Sequence, residues 1–182
     1  MFNLKYAKEN QREDDLVIIV HESFSEIVPH IEKILNISIA ELPVTLKYIN
    51  EYGDISIDDD VSITHIGMNH KKESLGFIFD VRGIKIGFTG DTDLCDNLYE
   101  LTKMSDIVFT ECAASEQSPI SGHLDPEKIR QVLAKTNITK KMIYLTHFYP
   151  EVENSVLLRN LLKKYSNLKL TYDGLKIIKE LS

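Results

Sequence analysis

The feature that most constrains the fold of this chain is a change in the order of its elements at Asp91. Before Asp91, short apolar and β-branched runs follow one another and predict consecutive strands, the last two joined by a tight turn at Arg82-Gly83. After Asp91, strand-like and helix-like patterns alternate towards the carboxyl terminus. A β-meander followed by alternating strands and helices predicts an α/β (α+β) fold, with helices packed on a sheet.

The predicted elements cover most of the chain. Residues up to Arg12 are typical of the end of a helix, and residues 16–20 are typical of a strand buried on both faces. Ser23 is expected to cap a helix over residues 24–35, in which Pro29 predicts a kink. Further strands are predicted at residues 44–49, 55–57, 61–66, 75–81, 84–88, 107–110, 142–146, 168–172 and 175–178, and further helices at 94–104, 126–135 and 155–164.

The composition of the chain limits its cellular location and its binding partners. The net charge of −7 argues against a broad basic surface for nucleic acid. Two cysteines do not make a disulfide framework, so a reduced, cytoplasmic location is expected. No segment approaches the roughly 20 apolar residues of a transmembrane helix, and the first residues do not resemble a secretory signal. We therefore expect one domain over residues 1–182 with no membrane partner.

Candidate ligands for a metal follow the predicted strands, where open α/β sheets usually place their sites. Asp91 lies in Thr-Gly-Asp-Thr after a strand, and capping of the next helix is its alternative role. His147 ends the run 142–146, where a neutral imidazole suits Zn²⁺ and a backbone hydrogen bond is the alternative. His70 follows the strand at 61–66, and plain solvation is its alternative. His65 ranks below His70 because it lies inside that strand.

A pair of side chains, Glu111 and His123, suggests proton transfer. Glu111 ends the strand at 107–110, and His123 precedes a helix whose start is marked by Asp125 and Pro126. A Glu–His pair beside a metal can relay a proton to a leaving group, whereas Glu111 alone is as consistent with a surface or capping role. No ligand spacing surrounds the remaining candidates, which are assigned structural roles: His21, His30, Cys95 and Cys112.

Taken in their order along the chain, the segments that carry these candidate residues resemble the metallo-β-lactamase superfamily, and within it the ribonuclease Z-like group. The series runs from His70 through Ser-Leu-Gly-Phe, Thr-Gly-Asp-Thr, a strand ending in Glu111 and Gly-His before a helix, to Leu-Thr-His147. The resemblance covers the chain from about Leu4 onwards. It implies the carboxyl-terminal portion of an αβ/βα sandwich and a metal-dependent hydrolase of phosphodiesters or related esters.

The resemblance also implies a role for each residue. His70 and His147 match ligands of the first and second zinc, Asp91 matches the bridging aspartate, and Glu111 and His123 match a catalytic pair. In that family two zincs hold a hydroxide that attacks phosphorus or a carbonyl, and manganese or iron are alternatives to zinc. The implied substrate is RNA, a small phosphodiester or another ester. No basic insertion suited to tRNA is visible in the sequence.

One departure from the family is important. The main motif, His-x-His-x-Asp-His, is absent from the sequence, so we expect an incomplete domain that begins just past it. We expect weak binding of one metal ion or none, and impaired hydrolysis. A sheet without its partner exposes an apolar face, so a homo-oligomer through that face is expected. The alternative function is a non-catalytic fragment that self-associates or binds a partner, and the remaining alternative is an unrelated α/β protein.

Overall fold

The structure of the protein, a computed structural model, describes residues 16–138 and 141–178. The chain separates into two compact units, Met1–Glu51 and Tyr52–Ser182. The predicted helix end before Arg12 lies outside the described residues. Within the described ranges, no helix has the length and apolar character needed to cross a bilayer.

The first unit contains a small parallel sheet. Strand β1 (Leu16–His21) pairs with β2 (Val44–Ile49), and helix α1 (Val28–Leu35) lies between them in the chain. The helix expected over residues 24–35 is interrupted: a 3-10 helix, Glu22–Glu26, precedes α1, and a proline occupies the first turn of α1. Pro29 therefore lies at the start of α1 and not inside a continuous helix, and it is tolerated there because the N–H that it lacks has no helical partner. The capping role of Ser23 was wrong, since the side chain of His21 accepts the Ser23 N–H instead.

The second unit is built on a seven-stranded sheet in the order β3 to β9. Strands β3 to β6 are antiparallel neighbours and β6 to β9 are parallel neighbours. Helices α2, α3 and α4 connect the parallel strands in turn. The bounds are β3 Tyr52–Ser56, β4 Val61–Gly67, β5 Leu75–Val81, β6 Ile84–Phe88, α2 Asp96–Met104, β7 Ile107–Glu111, α3 Pro126–Lys135, β8 Met142–Thr146, α4 Val156–Lys164 and β9 Leu168–Leu170. The predicted mixed α/β fold is confirmed.

The turn between β5 and β6 has the predicted tight form. Arg82 and Gly83 both have positive φ, at 52° and 85°, as two-residue hairpin turns require. The end of the chain differs from the prediction. Strand β9 stops at Leu170, where its pairing with β8 ends, and Gly174 lies in a turn with φ of 83°. Residues 175–178 are therefore not a strand, since no partner strand continues beside them among the described residues.

The two faces of this sheet have different neighbours. One face forms the main core with the helices, and fully buried side chains there include Leu98, Leu101, Ile129 and Leu145. The other face carries a row of aromatic rings across β5 to β8: Phe79, Phe88, Phe109 and Tyr144. The rings of Phe88 and Phe109 are stacked with centroids 4.7 Å apart, and Phe88 is 41% exposed. Side chains alternate along a strand, so β7 contributes to both faces.

Candidate metal centre

Asp91 is positioned by the turn that follows β6. Gly90 has φ of 60°, and a Cβ on it would lie 3.2 Å from the Leu75 carbonyl oxygen, so a glycine fits here best. Thr89 and Thr92 are fully buried on either side of the turn. Asp91 is not the cap of helix α2, because Cys95 occupies that position without a side-chain hydrogen bond. The turn therefore directs the Asp91 carboxylate to the edge of the sheet, with the side chain 43% exposed.

His70 presents one ring nitrogen to the same edge. Its Nδ1 lies 2.9 Å from the Gly122 carbonyl oxygen, which can only accept, so Nδ1 carries the proton and donates it. This leaves Nε2 with a lone pair for a ligand, the arrangement that metal-binding histidines normally show. Gly122 has φ of 82°, and a Cβ on it would lie 2.8 Å from Nδ1 of His70. A side chain at position 122 would therefore displace His70.

His147 directly follows β8 and has a rare backbone conformation. Its φ is 55°, in the left-handed region that few residues other than glycine adopt. Its Nε2 lies 3.8 Å from Oδ1 of Asp91, and its side chain is 41% exposed. Strain of this kind is found most often at functional sites, where it aims a side chain. Here it turns the imidazole of His147 towards Asp91.

Glu111 and His123 form a buried pair behind these residues. Nδ1 of His123 lies 3.0 Å and 3.1 Å from the two carboxylate oxygens of Glu111. The carboxylate also accepts the backbone N–H groups of Thr92, Ala113 and Leu124. Burial raises the pKa of Glu111, although hydrogen bonds from Thr92 and His123 act in the opposite direction. Glu111 thus fixes the ring of His123 through Nδ1 and leaves its Nε2 available.

These side chains converge on one point. One donor atom each of His70, Asp91 and His123 lie within 4.8 Å of one another. The His123 and His147 rings are stacked with centroids 5.8 Å apart, which places His147 in the same cluster. The structure thus brings together every residue that the sequence singled out for the site, including Glu111. Imidazole and carboxylate donors suit zinc, manganese or iron, so the donor set fits a divalent metal.

An ion pair that the sequence did not indicate holds the loop beside the cluster. Nζ of Lys128 lies 2.6 Å from Oδ1 of Asp93 and donates to the His123 carbonyl oxygen at 2.7 Å. The Gly122 N–H donates to the other oxygen of Asp93 at 3.3 Å. Burial raises the pKa of Asp93, but hydrogen bonds from Lys128 and Leu94 lower it overall. Nothing in the spacing of Asp93 and Lys128 marks them as partners.

His65, the lower-ranked alternative to His70, and Cys112, which was expected to have a structural role, are both buried in the second unit. His65 lies inside β4, opposite Phe77 of β5, and is 3% exposed. Cys112 is fully buried next to Glu111. Burial, together with the charges of Asp125 and Glu111, raises the pKa of the Cys112 thiol to about 12. A thiol that stays protonated is a poor metal ligand, which agrees with a packing role.

Comparisons with known proteins agree with the fold described above. Residues 4–148 match the family model described as the β-lactamase superfamily domain. No curated protein sequence gives a significant match. Among solved structures, the metallo-β-lactamase fold protein YhfI from Bacillus subtilis matches with a TM-score of 0.74 and 13% identity, over 96% of this chain and 68% of that one.

Two further structures are similar. The short form of human tRNase Z matches with a TM-score of 0.63 and 14% identity, over 93% of this chain and 70% of that one. Zn(2+)-bound PqqB from Methylobacterium extorquens matches with a TM-score of 0.63 and 14% identity, over 96% of this chain and 65% of that one. At these identities the likeness shows the metallo-β-lactamase fold, and roles of individual residues follow only from the geometry above.

Proposed function

Since the chain belongs to the β-lactamase superfamily domain family, we propose that it is a metal-dependent hydrolase of phosphodiesters or related esters. The observation that carries this proposal is the convergence of His70, Asp91, His123 and His147 at one edge of the sheet. The resemblance of the same segments to the ribonuclease Z-like group favours a phosphodiester. A tRNase Z among the structural neighbours agrees with that preference.

In this proposal His70, Asp91 and His147 hold the metal. Nε2 of His70 is the free nitrogen of its ring, and Nε2 of His147 lies beside the Asp91 carboxylate. Three protein ligands with an open fourth position are usual for catalytic zinc. A bound divalent ion supplies Lewis-acid stabilisation of the negative charge that develops on the ester. Because the sequence lacks His-x-His-x-Asp-His, we propose one ion per chain and slow turnover.

The Glu111–His123 pair supplies the proton in this account. Nδ1 of His123 donates to the Glu111 carboxylate, which holds the ring in one tautomer and one orientation. Nε2 takes a proton from the attacking water and passes it to the departing ester oxygen as the bond between phosphorus and that oxygen breaks, so that this oxygen leaves without a full negative charge. The side chain of His123 is 9% exposed, and this limits exchange of the proton with bulk water.

The alternative role of His123 is that of a fourth metal ligand, because its donor atom lies in the same group as those of His70 and Asp91. His123→Gln separates the two roles. A general acid predicts unchanged Zn²⁺ affinity with a slower reaction, most strongly for esters with poor leaving groups. A fourth ligand predicts a loss of Zn²⁺ affinity in the same variant.

The test of the proposed function is hydrolysis by the purified chain. Metal-free protein is supplied with Zn²⁺, Mn²⁺ or Fe²⁺ and assayed with bis(p-nitrophenyl) phosphate and, separately, p-nitrophenyl acetate. We expect slow, metal-dependent release of nitrophenolate from the phosphodiester and about 100-fold less with Asp91→Asn. Asp54→Asn, an exposed residue of β3, is the matched control and keeps the activity. Equal rates in Asp91→Asn and the unchanged chain would overturn the proposal.

A further inference from the structure

A cavity of about 310 Å³ lies beside the metal centre and shares a wall with it. The shared wall is Tyr149, whose ring centroid lies 5.6 Å from that of His147 and 6.2 Å from that of His123. The rest of the lining comes from the loop after β7 and from the 3-10 helix Pro150–Asn154: Ala114, Ser115, Ser118, Pro119, Ile120 and Glu151. No role in the proposed reaction accounts for this cavity.

Tyr149 is fixed by its backbone while its ring is left partly exposed. Its N–H donates to the Ala113 carbonyl oxygen at 3.1 Å, and its own carbonyl oxygen accepts the Val152 N–H at 3.0 Å. Val152 is 1% exposed and anchors the short helix in the core. Tyr149, in contrast, is 37% exposed. A tyrosine ring on an anchored backbone has few torsions left to order, so it can stack against a ligand at little cost in conformational entropy.

The loop on the other side is also ordered by hydrogen bonds. The Ser118 N–H donates to both the carbonyl oxygen and the hydroxyl of Ser115. The His123 N–H donates to the Ile120 carbonyl oxygen, so this loop leads directly into the metal centre. A ligand that fills the cavity and reaches past Tyr149 therefore comes next to His123 and His147.

The cavity walls indicate what kind of group they accept. Pro119, Ile120 and the Tyr149 ring are apolar, and the hydroxyl groups of Ser115 and Ser118 offer hydrogen bonds. Glu151 is the charged residue of the lining, and no lysine or arginine is among the residues that form it. This chemistry disfavours a second phosphate and suits a neutral group. The volume is at the small end of the range of about 300–1,000 Å³ for ligand pockets, enough for one ring system.

We propose that this cavity is a subsite for a neutral planar ring on one ester group of the substrate, with Tyr149 as the stacking partner. The proposal rests on the proposed function, which places the phosphate at the metal centre, and it narrows the substrate class to small phosphodiesters that carry a nucleoside-like ring. The absence of cations from the cavity lining favours such a molecule over a long polyanionic strand.

The kinetic test compares two esters that release the same nitrophenolate: methyl p-nitrophenyl phosphate and thymidine 5′-(p-nitrophenyl phosphate). We expect the thymidine ester to have a KM about 10-fold lower, a difference of ~1.4 kcal/mol. Tyr149→Leu raises the KM of the thymidine ester to that of the methyl ester and leaves kcat unchanged for both. Tyr149→Phe keeps the preference, because the stacking ring remains. Tyr48→Leu, at a tyrosine of β2 that is 44% exposed, is the control.

Two results would overturn the subsite: an unchanged KM ratio in Tyr149→Leu, or an equal fall in kcat for both esters, which would indicate a purely structural role. A binding measurement keeps the test independent of catalysis. Adenosine, which carries no phosphate, is expected to bind the metal-free chain in NMR saturation-transfer experiments and to lose that binding in Tyr149→Leu. Adenosine binding without hydrolysis would contradict the proposed function alone, whereas hydrolysis without adenosine binding would contradict the subsite alone.

Discussion

Nδ1 of His123 lies 3.0 Å from Oε1 of Glu111, inside a pocket where three backbone N–H groups donate to the same carboxylate. Replacing Glu111 by Gln keeps the shape but removes the charge that orients and stabilises the His123 ring. We expect Glu111→Gln to lower kcat by about 100-fold, within the usual range for general acid catalysis. Initial rates with bis(p-nitrophenyl) phosphate at saturating metal give this value.

The same substitution turns an amide NH₂ group towards backbone donors, so we also expect a loss of roughly 1–3 kcal/mol in the free energy of unfolding. Urea denaturation measures it. Glu127→Gln is the control, because Glu127 is an exposed partner of Arg130 and its loss changes neither quantity appreciably. An unchanged kcat in Glu111→Gln would remove the pair from the mechanism.

Gly122 is expected to be required for the position of His70. Gly122→Ala introduces a Cβ 2.8 Å from Nδ1 of His70 at a residue with φ of 82°. Gly174→Ala is a matched control, because Gly174 has φ of 83° and no atom within 4 Å of the added Cβ. Both variants lose about 1–2 kcal/mol from backbone strain. Isothermal titration with Zn²⁺ is expected to show weaker binding in Gly122→Ala only, and equal affinity in the two variants would contradict this account of His70.

The backbone strain at His147 predicts a stability gain when the side chain is removed. The left-handed conformation costs roughly 1–2 kcal/mol for a non-glycine residue, and glycine loses about 0.5–1 kcal/mol in backbone entropy. We expect His147→Gly to stabilise the metal-free chain by up to about 1 kcal/mol while it weakens Zn²⁺ binding. Asn36→Gly, at φ of 48° on the end of α1, is the control that leaves Zn²⁺ binding unchanged. Destabilisation by His147→Gly would show that the strain is compensated by contacts of the ring.

The pKa of Glu116 predicts a pH dependence of stability. Burial raises this pKa, but hydrogen bonds with the Ser155 side chain and the Leu157 backbone lower it below the usual 4.5 overall. A lowered pKa means that the carboxylate stabilises the folded chain above pH 4.5 and that this contribution is lost as the pH falls through the lowered value. The difference in free energy of unfolding between the unchanged chain and Glu116→Gln is therefore expected to be smaller at about pH 3.5 than at about pH 6. Urea denaturation at both pH values checks this, and a difference independent of pH would contradict it.

We propose that a second copy of the chain covers the aromatic face of the seven-stranded sheet. That face carries a groove of about 1000 Å³ lined mostly by apolar side chains of β6, β7 and the segment after β9. Phe88, in the middle of the row of rings, is 41% exposed. We expect dimers in sedimentation velocity and monomers with Phe88→Glu, since a buried charge opposes association. Ile34→Glu, at an 80% exposed position of α1, is the control, and a monomer at every concentration of the unchanged chain would contradict the proposal.

Local patterns in the sequence predicted the sheet and the positions of the candidate ligands at its edge. Asp91, His70 and His147 follow strands, and the parallel strands β6 and β8 end at one edge, so their proximity follows from topology. The Arg82-Gly83 turn was predicted because its residue types and position leave few conformations. Such signals depend on neighbours in the sequence, which is why they can be read before any fold is known.

The features that were missed depend on partners distant in the sequence. The pairing of Lys128 with Asp93 exists only because α3 starts beside the turn after Asp91. The left-handed backbone of His147 has no sequence signal, since histidine rarely adopts it. Residues 175–178 include Leu175, Ile177 and Ile178, which favour a strand, yet their pattern cannot show that β9 has already ended its pairing at Leu170.

The central claim is that His70, Asp91 and His147 form a metal site in this chain, and calorimetric titration of the metal-free protein with Zn²⁺ tests it most directly. We predict one Zn²⁺ per chain, with affinity at least about 10-fold weaker in His70→Gln, Asp91→Asn and His147→Gln. His30→Gln, on α1, is predicted to bind as the unchanged chain does. A chain that binds no Zn²⁺, or that binds it equally well after each of the three substitutions, would contradict the account.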